Sequence, residues 1–181
     1  MSVRRFSLLI IGAVAVSVLG ALAYDFLQIG RKTPNLAPEN ARASVIVVEK
    51  SARRMTLYKD DRFLKTYAVA LGSDPMGPKQ QEGDGRTPEG IYFVDFKNPR
   101  SKFHLALRVS YPGPQDRERA RQRGVNAGGD IMIHGLPNGL GWLGAAGLSR
   151  DWTDGCIAVT NEQVEEIWSL ADVGTKIEIR P

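Results

Sequence analysis

Seven stretches of this chain concentrate β-branched and aromatic residues in runs of strand length, each bounded by turn residues. They cover residues 44–49, 55–58, 63–71, 91–96, 104–109, 130–133 and 176–180. Lys59-Asp60-Asp61-Arg62 between the second and third reads as a hairpin turn. Residues 104–109 alternate, with Leu105, Leu107 and Val109 on one face and His104, Ala106 and Arg108 on the other. That puts His104 on a polar face, either bordering a cleft or in a structural or surface role. One helix is clear: Thr160 and Gln163 form a capping box, and Val164, Ile167, Trp168 and Ala171 recur at i, i+3, i+4 and i+7. Many short strands with one or two helices predict a mainly β domain, a curved β-sandwich.

The pattern changes at the N-terminus. Arg4 and Arg5 precede eighteen residues, 6–23, that hold no polar group beyond two serines. A positively charged start followed by such a run reads as an export signal. Ala21-Leu22-Ala23 would suit a signal peptidase, but eighteen apolar residues also just span a bilayer, so residues 1–23 are a signal peptide or a membrane anchor. Residues 24–42, with Gly30, Pro34 and Pro38 among polar side chains, read as a linker, leaving 43–181 as the folded domain. The expected location is the periplasm or cell surface, with anchoring in the inner membrane as one form of it.

Apolar content of 43% and charged content of 24% are those of an ordinary globular chain, long enough for one domain with a sizeable core. The net charge is +4, and the two arginines of the N-terminal segment reduce it to +2 if that segment is removed. This is too small to argue a nucleic-acid partner. Arg117-Glu118-Arg119-Ala120-Arg121-Gln122-Arg123 is locally basic, and reads first as a solvated helix face and second as a surface for anionic polymer.

Candidate chemistry centres on Ile131-Met132-Ile133-His134-Gly135 and Thr153-Asp154-Gly155-Cys156-Ile157-Ala158-Val159-Thr160. Cys156 is the only cysteine, so no internal disulfide can explain it. A histidine at the end of an apolar strand and a thiol behind a glycine turn can form a nucleophile–base pair, the imidazole favouring a thiolate. Glycine at 155 lets the backbone approach a substrate, and the amides around Asp154, Gly155 and Cys156 are the candidate oxyanion donors. The bland reading of Cys156 is a small buried hydrophobe, and that of His134 a satisfied core histidine. The segment 136–151 holds Gly139, Gly141, Gly144, Gly147 and Trp142, with Trp152 just beyond. It reads either as a mobile flap whose indoles offer flat surfaces to sugar or peptide, or as an ordered loop with Trp142 in the core. Gly135, Trp142, Trp152 and Thr153 are the candidate substrate-binding residues. Neither C-x-x-C nor H-x-x-x-H occurs, so no metal is expected. The run Gly83-Asp84-Gly85-Arg86-Thr87-Pro88-Glu89-Gly90 lacks the GxxxxGK[ST] arrangement of a phosphate loop and reads as a turn leading into a strand, with Thr87 and Pro88 structural or lining a donor groove.

Taken together, His134-Gly135, the Gly-rich insert, Thr153-Asp154-Gly155-Cys156 and Thr87-Pro88-Glu89-Gly90 resemble the YkuD-type L,D-transpeptidase family over about residues 43–180. The resemblance implies the YkuD-like sandwich, action on peptidoglycan stem peptides through a thioester on Cys156, His134 as base, and no cofactor. It also implies that a backbone carbonyl near the His-Gly step orients His134, with Asp154 or Asp151 as the alternative. Two positions depart from the usual motif: Asp154 stands where a second histidine is common, and Ala158 where Asn or Arg is common. The Gly155-Cys156-Ile157-Ala158-Val159-Thr160 form is similar to a branch that includes peptidoglycan hydrolases. A transpeptidase is therefore expected first, an L,D-endopeptidase or carboxypeptidase second, and a non-catalytic wall-binding module third.

Overall fold

Eight strands form one sheet in the order β3-β2-β1-β8-β4-β5-β6-β7. They are β1 (Val45–Glu49), β2 (Arg54–Lys59), β3 (Arg62–Ala68), β4 (Gly90–Ser101), β5 (His104–Val109), β6 (Met132–His134), β7 (Ile157–Ala158) and β8 (Lys176–Arg180). The computed structural model describes residue 34 and residues 36–181, so the expected signal or anchor at 1–23 lies outside the described residues. Among the described residues no helix is long and apolar enough to cross a membrane.

The first three strands are an antiparallel meander, and the β2–β3 turn is tight, with Asp60 in the left-handed region at φ 53°. The final strand, β8, enters parallel to β1 and antiparallel to β4. β4 carries the curvature. Its first half pairs with β8 as far as Phe93, its second half pairs with β5, and two register shifts separate the pairs Val94/Phe96 and Asn98/Ser101. Bulges bend a strand and increase its twist, so one long strand can serve both halves of the sheet. The sequence expectation stopped at Phe96. The strand runs on to Ser101, with Pro99 beside the second irregularity, where a missing N–H is tolerated.

Beyond β3 the chain crosses to the far end of the sheet. Ala70 and Ala158 exchange backbone hydrogen bonds of 3.0 and 2.8 Å, and Gly72 bridges to Thr153. The predicted strand over 63–71 thus ends at Ala68, and its last residues join the two edges of the curve. One apolar core fills it, with Ile46, Met55 and Leu57 from one half and Leu107, Ile133 and Ile157 from the other all fully buried. Together these give the expected mainly β, curved sandwich.

Among the described residues two α-helices complete the fold. Helix α1 (Pro114–Arg123) follows Gly113, whose amide donates to Asp116 Oδ2 at 2.9 Å. Its arginines are mostly exposed, as expected of a solvated face. Helix α2 (Asn161–Leu170) has the predicted cap: Gln163 N–H donates to Thr160 Oγ1 at 3.3 Å, and Thr160 N–H to Gln163 Oε1 at 2.9 Å. Val164, Ile167 and Trp168 bury its apolar face, and the helix packs against β5 and β6. Lys97 of β4 donates to the carbonyls of Trp168 and Ala171 at its C-terminus, 2.7 and 2.8 Å, where a cation is favoured. The end of the stretch read as linker is held to the same helix, the Ala37 amide donating to the Ser169 carbonyl at 2.8 Å, and the Ala43 amide at the start of the domain donates to the Leu170 carbonyl at 2.7 Å.

His104 takes the structural one of its expected roles and not a place at the surface. It is buried at the start of β5 with φ 68°, and its Nε2 lies 2.6 Å from Glu165 Oε1 on α2. The turned backbone aims the ring at the helix, which the alternation of side chains along a regular strand could not reveal.

Candidate active site

Strands β6 and β7 run parallel, with Ile133 opposite Ile157 and His134 opposite Ala158. Because successive side chains alternate, Ile133 and Ile157 enter the core while His134 and Ala158 share the other face. Cys156 is the turn residue that leads directly into Ile157 at the start of β7. Residues distant in sequence are thus brought side by side by one strand pairing.

His134 is buried, and its Nδ1 lies 2.7 Å from the carbonyl of Gly135. With Nδ1–H donating to that oxygen, Nε2 is left as the basic nitrogen. Burial pushes the ring well below the ordinary histidine range, to about 4, although the bond to Gly135 pulls the other way. At neutral pH the ring is an uncharged acceptor. Asp151 has no part in this: its Oδ2 takes Arg53 Nη2 at 2.8 Å and its Oδ1 the Leu71 amide at 2.8 Å. Asp154 is exposed. The backbone carbonyl, and neither carboxylate, orients the ring.

Two aromatic rings surround His134. Phe103, in the turn between β4 and β5, stacks at 4.5 Å between centroids with a 34° tilt, and Trp152 lies edge-on at 5.8 Å. Gly135 N–H donates to the Phe103 carbonyl at 3.0 Å, tying that turn to the His-Gly step. A Cβ on Gly135 would come 2.7 Å from Asn161 Oδ1, which itself accepts the Leu136 amide at 2.9 Å. Phe103 and Asn161 carry no sequence signal of this role: one is a lone aromatic in a turn, the other the first residue of a helix.

Cys156 is half-buried. Its thiol lies 3.5 Å from the Asp130 carbonyl. Burial pushes the thiol up from its ordinary value; the Met132 amide pulls it down, the Asp154 carboxylate pushes it up, the Lys79 ammonium pulls it down and Asp130 pushes it up. The expected resting thiolate is therefore corrected to a neutral thiol beside a neutral imidazole, because desolvation disfavours both charged forms.

The nucleophile turn is tightly determined. Gly155 has φ 123°, and a Cβ there would meet the Arg86 carbonyl oxygen at 2.5 Å. Its amide donates to Thr153 Oγ1 at 3.1 Å, and the Thr153 hydroxyl donates to the Cys156 carbonyl at 2.7 Å. Gly155 N–H, expected among the oxyanion donors, is thus engaged within the turn, leaving the amides of Asp154 and Cys156 as candidates. Thr153, expected against substrate, is buried with its hydroxyl satisfied on both sides. The Gly83–Gly90 run is the floor beneath this turn. Thr87 Oγ1 accepts the Gly72 amide at 3.0 Å, and its backbone carbonyl takes the buried Lys50 ammonium at 2.9 Å.

The Gly-rich insert is a 3-10 segment, Gly141–Leu148, broken at Gly144, where φ is 50° and ψ −131°. Trp152 Nε1 donates to the Gly147 carbonyl at 3.0 Å. Trp142 is 79% exposed, so it is not a core residue. Among the described residues no three His, Cys, Asp or Glu side chains converge as metal ligands would.

Comparison with known proteins bears on the family and the fold. Residues 43–179 match the YkuD model, described as the L,D-transpeptidase catalytic domain. The chain belongs to the YkuD family. YafK of Escherichia coli (strain K12) is 29% identical over 131 residues, 69% of this chain and 46% of that protein. The crystal structure of the helical cell shape determining protein Pgp2 from Campylobacter jejuni superposes with a TM-score of 0.56 and 26% identity, covering 87% of this chain and 55% of Pgp2. The L,D-transpeptidase of Mycobacterium smegmatis has the same fold, with a TM-score of 0.50 at 17% identity, covering 76% of this chain and 58% of that one. This YkuD chain spans about half the length of those relatives. The match runs through the whole β4–β8 frame, so the His-Gly strand end and the Gly-Cys turn lie inside the shared domain.

Proposed function

We propose that this domain is a cysteine-dependent L,D-transpeptidase that acts on peptidoglycan stem peptides in cell-wall biogenesis. The observation that supports it most directly is the pairing of β6, which ends in His134, with β7, which Cys156 immediately precedes, together with the His134 Nδ1 held by the Gly135 carbonyl. Membership of the YkuD family supports the substrate class.

In this reading Cys156 Sγ attacks the carbonyl that follows the third stem residue, a diamino acid, as its proton passes to His134 Nε2. The starting pair is neutral, so the proton moves during attack. Amides of Asp154 and Cys156 receive the oxyanion. The C–N bond breaks, the proton on His134 goes to the leaving amine, and a thioester remains on Cys156. A second amine then attacks the thioester, His134 takes its proton, and the new amide leaves with the thiol restored. Water in place of the amine gives the L,D-endopeptidase or carboxypeptidase outcome, towards which Ala158 and the Gly-Cys-x-Ala-x-Thr form point. Trp142, Trp152 and Gly135 border the substrate in this reading, the exposed Trp142 indole meeting sugar or peptide. Work on exported wall fits a domain in the periplasm or at the cell surface, and the likeness to Pgp2 fits a part in cell shape.

Incubating purified protein with isolated peptidoglycan and weighing the products tests this. Cross-linked or exchanged stem peptides are expected; release of the terminal residue with water alone would assign a hydrolase. No change in any muropeptide, with an intact thiol, would overturn the enzymatic reading in favour of a wall-binding module.

A further inference from the structure

Two buried groups near the site are not used by the proposed chemistry. The Lys79 side chain is 3% exposed and its Nζ lies 2.7 Å from Asp84 Oδ1; Asp84 is 11% exposed. Asp84 also gathers the segment around itself, accepting the amides of Gln80 (2.7 Å), Gln81 (3.1 Å) and Arg86 (3.0 Å). Burial pushes the Asp84 carboxyl up, but the Lys79 ammonium and these amides overcome it and hold it below its ordinary value. Burying two charges is costly, and a pair of this kind is weak evidence for stability alone.

The segment so tied touches both halves of the site. On one side the Arg86 carbonyl lies against Gly155, so close that no side chain fits at 155, and the Gly85 carbonyl lies likewise against Gly72. On the other, Glu82 N–H donates to the Asn126 carbonyl at 2.8 Å, Asn126 Nδ2 to Glu82 Oε2 at 2.7 Å, and Gly128 packs on the Glu82 backbone. Asn126 to Gly128 lead into Asp130, whose carbonyl meets the thiol, and then into β6 and His134. Residues 79–86 are therefore a brace between the nucleophile turn and the strand that carries the base.

We propose that Lys79 is a positioning residue of the active site: paired with Asp84 it locks this brace, and through the Arg86 carbonyl beneath Gly155 it fixes the turn that presents the Cys156 thiol. This rests on the reading of Cys156 as the nucleophile. The charged groups that act on that thiol are the carboxylates of Asp154 and Asp130 and the Lys79 ammonium, the last paired with the Asp84 carboxylate. Lys79 is the cation in that set.

The test is the pH dependence of Cys156 alkylation by iodoacetamide, followed by intact mass, which needs no peptidoglycan turnover. Lys79→Met leaves Asp84 buried and unpaired, so the double variant Lys79→Met/Asp84→Asn, which keeps the volume without the charges, is measured beside it, together with Lys79→Arg. The expected result is an alkylation midpoint displaced to higher pH in both variants that lack the ammonium, with the rate at a fixed pH below the midpoint falling about 3–10-fold, as a midpoint raised by half a unit to one unit requires. Lys79→Arg is expected to restore most of that rate. Unchanged midpoints in both folded variants that lack the ammonium, whatever their thermal stability, would overturn the proposal and leave the pair a purely structural tie. Should the wild type leave peptidoglycan untouched while the midpoints still shift, the functional reading fails and the role of Lys79 on the thiol stands.

Discussion

Phe103 stacks on His134 at 4.5 Å, and the carbonyl of the same residue accepts the amide of Gly135, the residue whose own carbonyl holds the His134 Nδ1. One turn residue thus sets the plane of the imidazole with its ring and the position of the tautomer-fixing carbonyl with its backbone. It also keeps water from the ring, which is part of why His134 titrates so low.

Replacing Phe103 with alanine removes the ring and keeps the carbonyl. An aromatic contact of this kind contributes about 0.5–1.5 kcal/mol, so kcat/KM is expected to fall about 2–10-fold, with the acid limb of the pH–rate profile moving up as water reaches His134. A profile that stays in place in the variant would remove Phe103 from the site.

Cys156→Ser tests the nucleophile. An alcohol near pH 7 is far less nucleophilic than a thiol activated by a base, so turnover is expected to drop by about two to three orders of magnitude, with the circular dichroism spectrum unchanged. The hydroxyl takes up less space than the thiol, and the site is only half-buried. Retention of most activity in the folded variant would sink the thioester mechanism. A carbapenem is expected to acylate the wild-type thiol and leave the serine variant unlabelled by intact mass.

Much of this was legible in the chain because it rests on local pattern. The β-branched run at 44–49, the strand at 104–109, the Thr160/Gln163 box and the i, i+3, i+4 spacing of α2 depend on near neighbours, and these elements appear where expected. His134 and Cys156 were legible for a different reason, since a strand ending in His-Gly and a turn ending in Gly-Cys are both tight motifs. What could not be read arises from long-range contact or backbone twist. The bend of β4 at its bulges, the Ala70–Ala158 closure and the inward turn of His104 all depend on partners far along the chain. The capture of Gly155 N–H by Thr153 is local, yet it hangs on a side-chain rotamer that residue types do not specify. The thiol's raised affinity for its proton follows from burial, which spacing cannot gauge.

Gly155→Ala probes the floor of the turn. The φ of 123° is strained for a side chain, and the added methyl would lie 2.5 Å from the Arg86 carbonyl oxygen, a backbone atom that cannot swing aside. Strain of about 1–3 kcal/mol and overpacking of a similar size act together, so a loss of about 2–5 kcal/mol in urea denaturation is expected, with activity lost even where the protein folds. A variant as stable and active as the wild type would mean that Arg86 does not support the turn.

The last expectation concerns acid. The His134 ring titrates at about 4 in the folded protein, against about 6.5 in an unfolded chain. Between those values the unfolded chain binds a proton that the folded protein does not, so stability rises with pH across the window and is lost as pH falls from about 6.5 towards 4. The full difference is about 3 kcal/mol, of which about 2 is lost between pH 7 and 4.5. His134→Gln removes this proton while its amide can still donate to Gly135. Its stability is therefore expected to fall about 2 kcal/mol less than that of the wild type over the same interval, in urea denaturation at the two pH values, with carboxylates common to both chains cancelling in the comparison. The same low value keeps the wild-type base unprotonated at pH 5.5, so most of kcat/KM should survive there, and the acid limb should lie near 4. A limb near 6.5, together with equal acid losses in the two proteins, would show that His134 is exposed to water when it works and would undo the neutral-pair mechanism.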